Sequence, residues 1–136
     1  MLIKLNSINI QILMKQAFLV FIGGGFGSVA RYFVGKYLNT PGNHIPYGTF
    51  LANVLGSLLI GLILGYLSKT SNISQSQSLL LASGFCGGFT TFSTFAYENQ
   101  LFIKNGDYLN FLFYTFISLL VGFSAVFAGI YLSKLV

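Results

Sequence analysis

Gly87-Gly88-Phe89-Thr90-Thr91-Phe92-Ser93-Thr94-Phe95 lies inside a hydrophobic segment long enough to cross a bilayer, yet it is the weakest helix former in that segment. Each of its paired glycines costs about 1 kcal/mol relative to alanine in a helix. The threonines and Ser93 can hydrogen-bond nearby backbone and so compete with helical bonds. In hydrocarbon, frayed backbone is tolerated only where protein buries it or where it lines a wet cavity. The stretch therefore predicts a transmembrane helix broken in mid-membrane, with exposed backbone oxygens and flanking phenylalanines. The other segments read as its housing.

Of the 136 residues, 54% are hydrophobic and 7% charged, and the mean hydropathy is +0.78. A soluble domain carries roughly 25% charged residues, so the chain reads as an all-α membrane protein in contact with lipid. At ~20 residues per span there is room for about four transmembrane helices in one unit. The 16 glycines and the absence of tryptophan suit closely packed helices, because glycine lets helix backbones approach one another. Cys86 is the single cysteine, which excludes a disulfide framework. The net charge of +5 comes from scattered lysines and one arginine. Such scatter reads as interfacial anchoring; nucleic-acid binding needs a clustered patch.

Residues 1–16 interleave Ile and Leu with Asn, Gln, Lys and Ser. Two readings stay open for them: a short amphipathic surface helix, or a dispensable extension of residues 1–13 ahead of a four-helix transmembrane unit of residues 14–136. No small-residue cleavage site follows, so a signal peptide is not expected. The first span is expected from about Ala17 to Tyr37, with Gly23, Gly27, Arg31 and Gly35 at steps of four on one face. Arg31 costs about 2.5–3.5 kcal/mol at depth on insertion scales. It reads either as a side chain snorkelling to the nearer interface or as an anchored cation at the mouth of an anion path.

Asn39 to Pro46 is turn-rich, and its His44 stands without a companion ligand, which argues against a metal site there. The second span is expected from about Tyr47 to Leu67, with Pro46 tolerated at its first turn. Thr49, Asn53, Ser57, Gly61 and Gly65 form a polar and small stripe on it. Packing glue would explain the stripe. For Asn53 a solute contact is the stronger reading, because a mid-span amide is costly to bury unsatisfied.

A polar loop, Ser68 to Ser78, leads to the third span, about Leu79 to Ile103. Phe85, Phe89, Phe92 and Phe95 are spaced to climb one side of it, with Glu98 and Asn99 in its last turns. Lys104-Asn105-Gly106-Asp107 reads as a turn, and the fourth span runs from about Leu109 to Leu132. Its Tyr114, Ser118, Gly122, Ala125 and Gly129 make one more stripe. No sequence repeat is present, so an internal inverted duplication is not supported.

With four spans, Lys4, Lys15, Lys69 and Lys134 fall on one side of the membrane and Arg31, Lys36 and Lys104 on the other. Orientation is normally set by an excess of Lys and Arg in cytoplasmic loops. An excess this small predicts insertion in both directions, and hence an antiparallel, dual-topology homodimer.

Cation paths and proton-coupled pumps use acidic residues or histidine within spans. Here the spans hold no Asp and only Glu98, near an end. The remaining polar groups are hydroxyls, an amide, a guanidinium and aromatic edges, which carry positive partial charge. Donors without fixed negative charge suit a small anion. No nucleophile–base pair, metal cluster or phosphate loop is present, so an enzyme is not expected.

Three strings carry a resemblance: Gly24 to Tyr32, Pro46 to Asn53, and Gly87 to Phe95. In this order, on four spans of this length, they resemble the fluoride channels of the Fluc (CrcB) family, over about Met14 to Val136. The resemblance implies passive, fluoride-selective export from the cytoplasm across the prokaryotic cell (inner) membrane, by an antiparallel homodimer with pores along the subunit interface. It implies that Phe92 and Phe95 contact fluoride through ring edges, and that Asn53, Tyr114 and Ser118 are polar pore residues. It also implies an acidic position at Glu98 near the pore end and the first-helix arginine at Arg31. Thr49, Thr91 and Thr94 join the pore set. Backbone carbonyls of Gly87 and Thr90 are implied to hold a structural sodium ion, which suits carbonyls loosened in a buried break. Rejection of chloride follows from the resemblance and not from the donors alone.

A small proton-coupled exporter is the alternative, but it calls for an acid in mid-span one, where this chain has glycines and Arg31. A non-transporting scaffold explains the small-residue stripes and leaves Asn53, the phenylalanines and the glycine pair without a common cause.

Overall fold

A computed structural model describes residues 2–39, 45–69 and 74–135, with side chains from Asn9 onward apart from Lys69. His44 and most of its turn, and residues 70–73 of the polar loop, lie outside the described residues. Among the described residues, four helical spans are long and apolar enough to cross a membrane: Asn9–Leu38, Tyr47–Ser68, Gln75–Lys104 and Tyr108–Ser133.

Helix α1 covers Leu2–Leu38 without interruption. The N-terminal residues thus continue the first span and do not form a separate surface helix. At ~1.5 Å per residue α1 is about 55 Å long, well beyond the roughly 30 Å of a hydrocarbon core. Helix α2 covers Tyr47–Lys69, and the Phe50 N–H donates to the Pro46 carbonyl at 3.1 Å. Proline at the entry loses nothing, since first-turn N–H groups have no helical partner.

The third span is assembled from pieces. It opens on an α-turn, α3 (Gln75–Ser78), held by a reciprocal cap between Ser74 and Gln77. It then winds through a π-helical stretch, Leu79–Cys86, and returns to α-geometry in α4, Gly87–Phe89. After two extended residues it restarts as α5, Phe92–Lys104. The expected break is present, at the threonines, and its position corrects only the part of the reasoning that rested on the glycines. Gly87 and Gly88 are helical, and the chain opens at Thr90 and Thr91.

Helix α6, Tyr108–Ser133, follows a tight turn in which Gly106 has φ of +72°. The left-handed region favours glycine, and the Asp107 N–H closes the α5 end on the Phe102 carbonyl at 2.9 Å. Asp107 then caps α6 by accepting from the Asn110 N–H at 3.3 Å.

Two close pairings build the bundle: α1 against the first half of the third span, and α2 against α6. Glycines make both possible. A Cβ on Gly88 would stand 2.9 Å from the Gly24 Cα, and one on Gly27 would stand 2.8 Å from the Phe89 nitrogen. A Cβ on Gly129 would stand 2.7 Å from the Leu62 nitrogen. Of the paired glycines that read as helix breakers, Gly88 is therefore placed for contact with α1, while nothing lies within 4 Å of a Cβ on Gly87.

Gly88→Ala is expected to destabilise the fold by about 1–3 kcal/mol, read as a lower thermal unfolding midpoint of the purified protein. Gly25→Ala is the control, because nothing lies within 4 Å of a Cβ there. Equal midpoints for both variants would sink the close-contact account of Gly88.

Candidate functional site

Breaking a helix in mid-membrane strips backbone groups of their partners, so the site is best built from where those groups go. Thr90 (φ −84°, ψ 156°) and Thr91 (φ −150°, ψ 117°) are extended. The Cys86 carbonyl accepts from the Thr90 N–H at 3.0 Å and from the Thr90 hydroxyl at 2.9 Å. Asn53, on α2, closes the next gap from both sides. Its Oδ1 accepts from the Thr91 N–H at 2.7 Å, and its Nδ2 donates to the Thr91 carbonyl at 3.2 Å.

Arg31, on α1, donates through Nε to the Gly88 carbonyl at 3.0 Å, with the Ser28 hydroxyl at 3.5 Å. The guanidinium is thus tied to the break. The Thr91 hydroxyl caps the restart by accepting from the Thr94 N–H at 3.2 Å. Among the described residues no donor reaches the carbonyls of Gly87 or Thr90.

Asn53, Thr90, Thr91, Phe92, Phe95, Ser118 and Leu119 line a cavity of about 220 Å³ beside the break. The Ser118 hydroxyl is buried and has no hydrogen-bond partner. A buried polar atom left bare costs about 1–3 kcal/mol, so this hydroxyl marks a place where something polar belongs. The break also alters the expected phenylalanine ladder. Phe85 and Phe89 stack with ring centroids 5.6 Å apart, and Phe89 is buried. Beyond the break Phe92 and Phe95 form a separate tilted pair at 6.0 Å, and Phe92 is 78% exposed. The four rings are two pairs on two helical pieces, not one climbing row.

A chain of hydroxyls gathers on Glu98. Thr49 donates to Glu98 Oε1 at 2.6 Å, and Tyr114 donates to Oε2 at 2.8 Å. Tyr114 is fully buried and supports Phe95 from behind, with ring centroids 5.3 Å apart. Both hydroxyls stabilise the charged form of the carboxylate with charge-assisted bonds. On the other side of Thr49, Arg31, Tyr32, Gly35, Lys36, Asn39, Gly48, Thr49, Thr91 and Thr94 line a second cavity of about 320 Å³. Its lining carries two cations and no acid, so its field favours an anion.

The fold brings the sequence-picked residues together around one break. Asn53, Ser118, Phe92, Phe95 and Thr91 share the first cavity, and Arg31, Thr49, Thr91 and Thr94 share the second. Glu98 and Tyr114 stand behind them, outside both linings. Asn99 plays a part the sequence did not reveal. It donates to the Phe95 carbonyl at 2.9 Å and accepts from the Thr115 hydroxyl at 2.8 Å, fixing α5 on α6. Its position four residues after Phe95 is the signal that could have found it.

The bonding separates two polar residues that look alike in sequence. Asn53→Leu should lower stability by about 2 kcal/mol or more, because it bares both the Thr91 N–H and its carbonyl. Ser118→Ala should not lower the unfolding midpoint, because its hydroxyl holds no bond and is costly to bury bare. Thermal unfolding of both purified variants decides it, and a Ser118→Ala loss matching that of Asn53→Leu would contradict the assignment.

A protein of Gloeothece citriformis named fluoride-specific ion channel FluC is 50% identical over 122 residues, covering 89% of this chain and 98% of that protein. Proteins of the same name from Bacteroides fragilis and Leptospira interrogans are 47% and 42% identical over 125 and 121 residues. The Bacteroides alignment covers 89% of this chain and 98% of that protein, and the Leptospira alignment 88% and 95%. Residues 18–130 match the family described as CrcB-like protein, Camphor Resistance (CrcB), and the chain belongs to that family.

Proposed function

We propose that this chain is a fluoride-selective passive channel that lets fluoride leave the cytoplasm and so lowers its toxicity. The observation that carries the reading is the cavity beside the break, where the bare Ser118 hydroxyl, the Asn53 amide and the Phe92 and Phe95 rings converge. These are donors and positive ring edges, and the lining holds no carboxylate. A small, strongly hydrated anion entering a bilayer must exchange its water for donors of this kind. The only carboxylate carried by the spans, Glu98, is engaged by two hydroxyls, which leaves a proton-coupled exporter without an open acid. The names carried by the relatives agree with the fluoride assignment.

The working unit in this reading is an antiparallel, dual-topology homodimer in the prokaryotic cell (inner) membrane. Its support is the near balance of Lys and Arg between the two sides, together with the outward-facing Phe92. A second copy would cover that ring and complete the pore wall. The Gly87 and Thr90 carbonyls fit a structural sodium ion, being hard oxygen ligands beside the break with no donor of their own. Sodium held there would supply positive charge that offsets the bared carbonyl dipoles.

The test is fluoride efflux from liposomes containing the purified protein, read with a fluoride electrode and repeated with chloride. A potassium ionophore triggers release, and no proton or sodium gradient is supplied. Rapid fluoride release with negligible chloride release is expected; no release from verified dimers would overturn the channel reading. Phe95→Ile keeps a similar apolar volume and should slow fluoride release by at least about ten-fold, equivalent to ~1.4 kcal/mol of lost ion stabilisation. Parental flux in a stable Phe95→Ile dimer would remove the ring edge from the mechanism.

A further inference from the structure

Asn39, at the end of α1, stands apart from the residues that touch the Phe92–Phe95 cavity, yet its side chain enters the bonding around Glu98. Its Oδ1 accepts from the Gly48 N–H at 2.6 Å, a first-turn donor of α2 that has no helical partner. Its Nδ2 donates to the Thr49 hydroxyl oxygen at 3.4 Å. The approach is close enough that a Cβ on Gly48 would stand 2.8 Å from Asn39 Oδ1 and 2.8 Å from the Gly35 Cα.

A threonine hydroxyl has one proton and can accept as well as donate. Unrestrained, that proton can turn to a backbone carbonyl just ahead of α2. With Asn39 donating to Thr49 Oγ1, the proton is left for Glu98 Oε1, where the distance is 2.6 Å. The bonds then run in one direction, from Asn39 through Thr49 to the carboxylate, with Tyr114 donating to its other oxygen at 2.8 Å. Asn39, Thr49 and Arg31 line the same 320 Å³ cavity. A Glu98 oxygen left without its donor there would repel an anion passing between the cavities.

We infer that Asn39 is a positioning residue for anion passage, acting through Thr49 to keep the Glu98 carboxylate engaged. The inference rests on the channel reading above. It assigns Asn39 no contact with the ion.

The experiment is a double-mutant cycle on fluoride efflux from liposomes, using Asn39→Ala, Thr49→Val and the double variant beside the parent protein. Asn39→Asp is added because it keeps the acceptor for the Gly48 N–H, and thus the helix cap, while it loses the donor to Thr49. Asn39→Ala and Asn39→Asp should each slow efflux by about three- to ten-fold, the span expected for one lost hydrogen bond. In the Thr49→Val background the Asn39→Ala change should add less than about two-fold, because coupled residues are not additive.

An equal slowing in both backgrounds would overturn the inference in favour of a capping or folding role. So would parental efflux in Asn39→Asp, or in Asn39→Ala if Asn39→Asp does not assemble. Absence of fluoride release from the parent protein is a separate result, which rejects the channel reading and this role with it.

Discussion

Every backbone N–H and C=O in hydrocarbon must find a partner, and a bare one costs several kcal/mol. The third span breaks that rule at Thr90 and Thr91, and most of the surrounding bonding answers the breach. Asn53 meets it with a single carboxamide that replaces both halves of a missing peptide pairing. Arg31 and Ser28 reach across from α1 to the Gly88 carbonyl, and the Thr90 hydroxyl joins its own N–H on the Cys86 carbonyl. Three elements are thereby tied to one break: α1 by Arg31, α2 by Asn53 and α5 by the Thr91 cap.

The break also decides where the aromatic rings point. Had the helix continued, Phe85, Phe89, Phe92 and Phe95 would share a face, since their steps of four and three follow the helical period. Two extended residues reset the rotation, so Phe89 is buried while Phe92 projects outward. Phe95 is held from two sides, by the Tyr114 ring and by Asn99 on its carbonyl. A ring whose edge serves an ion needs this restraint, because ring orientation fixes whether the ion meets the positive edge or the negative face.

Much of this was legible in the sequence, for identifiable reasons. Apolar length fixed the number of spans, and poor helix formers located the break to within one nine-residue stretch. The part of the break assigned to the threonines holds, and the part assigned to the glycines does not, because a glycine has two uses. Propensity scores Gly87 and Gly88 as breakers, whereas the fold uses Gly88 for contact with Gly24. Which partner satisfies a polar residue was not legible either. Asn53 and Thr91 are 38 residues apart and Arg31 and Gly88 are 57 apart. Spacing within one helix says nothing about what stands opposite. The roles of Asn39 and Asn99 were hidden for the same reason, since each acts on a group carried by another residue.

The distribution of charge follows from the same bonding. Arg31 and Glu98 are charged residues bonded on either side of the site, and they are treated differently. Glu98 has a donor on each oxygen, so its negative charge is spread into two hydroxyls before any solute meets it. Arg31 uses Nε on the Gly88 carbonyl while it also lines the second cavity beside Lys36. A guanidinium carries five N–H donors in a fixed fork, so a bond through Nε leaves the terminal nitrogens with donors to offer. The acid is bonded to neutral partners and the cation keeps unused capacity, which gives the second cavity a positive character. Exchanging those treatments, with Arg31 paired to a carboxylate and Glu98 facing the cavity, would preserve composition and net charge and would make the same lining less favourable to an anion.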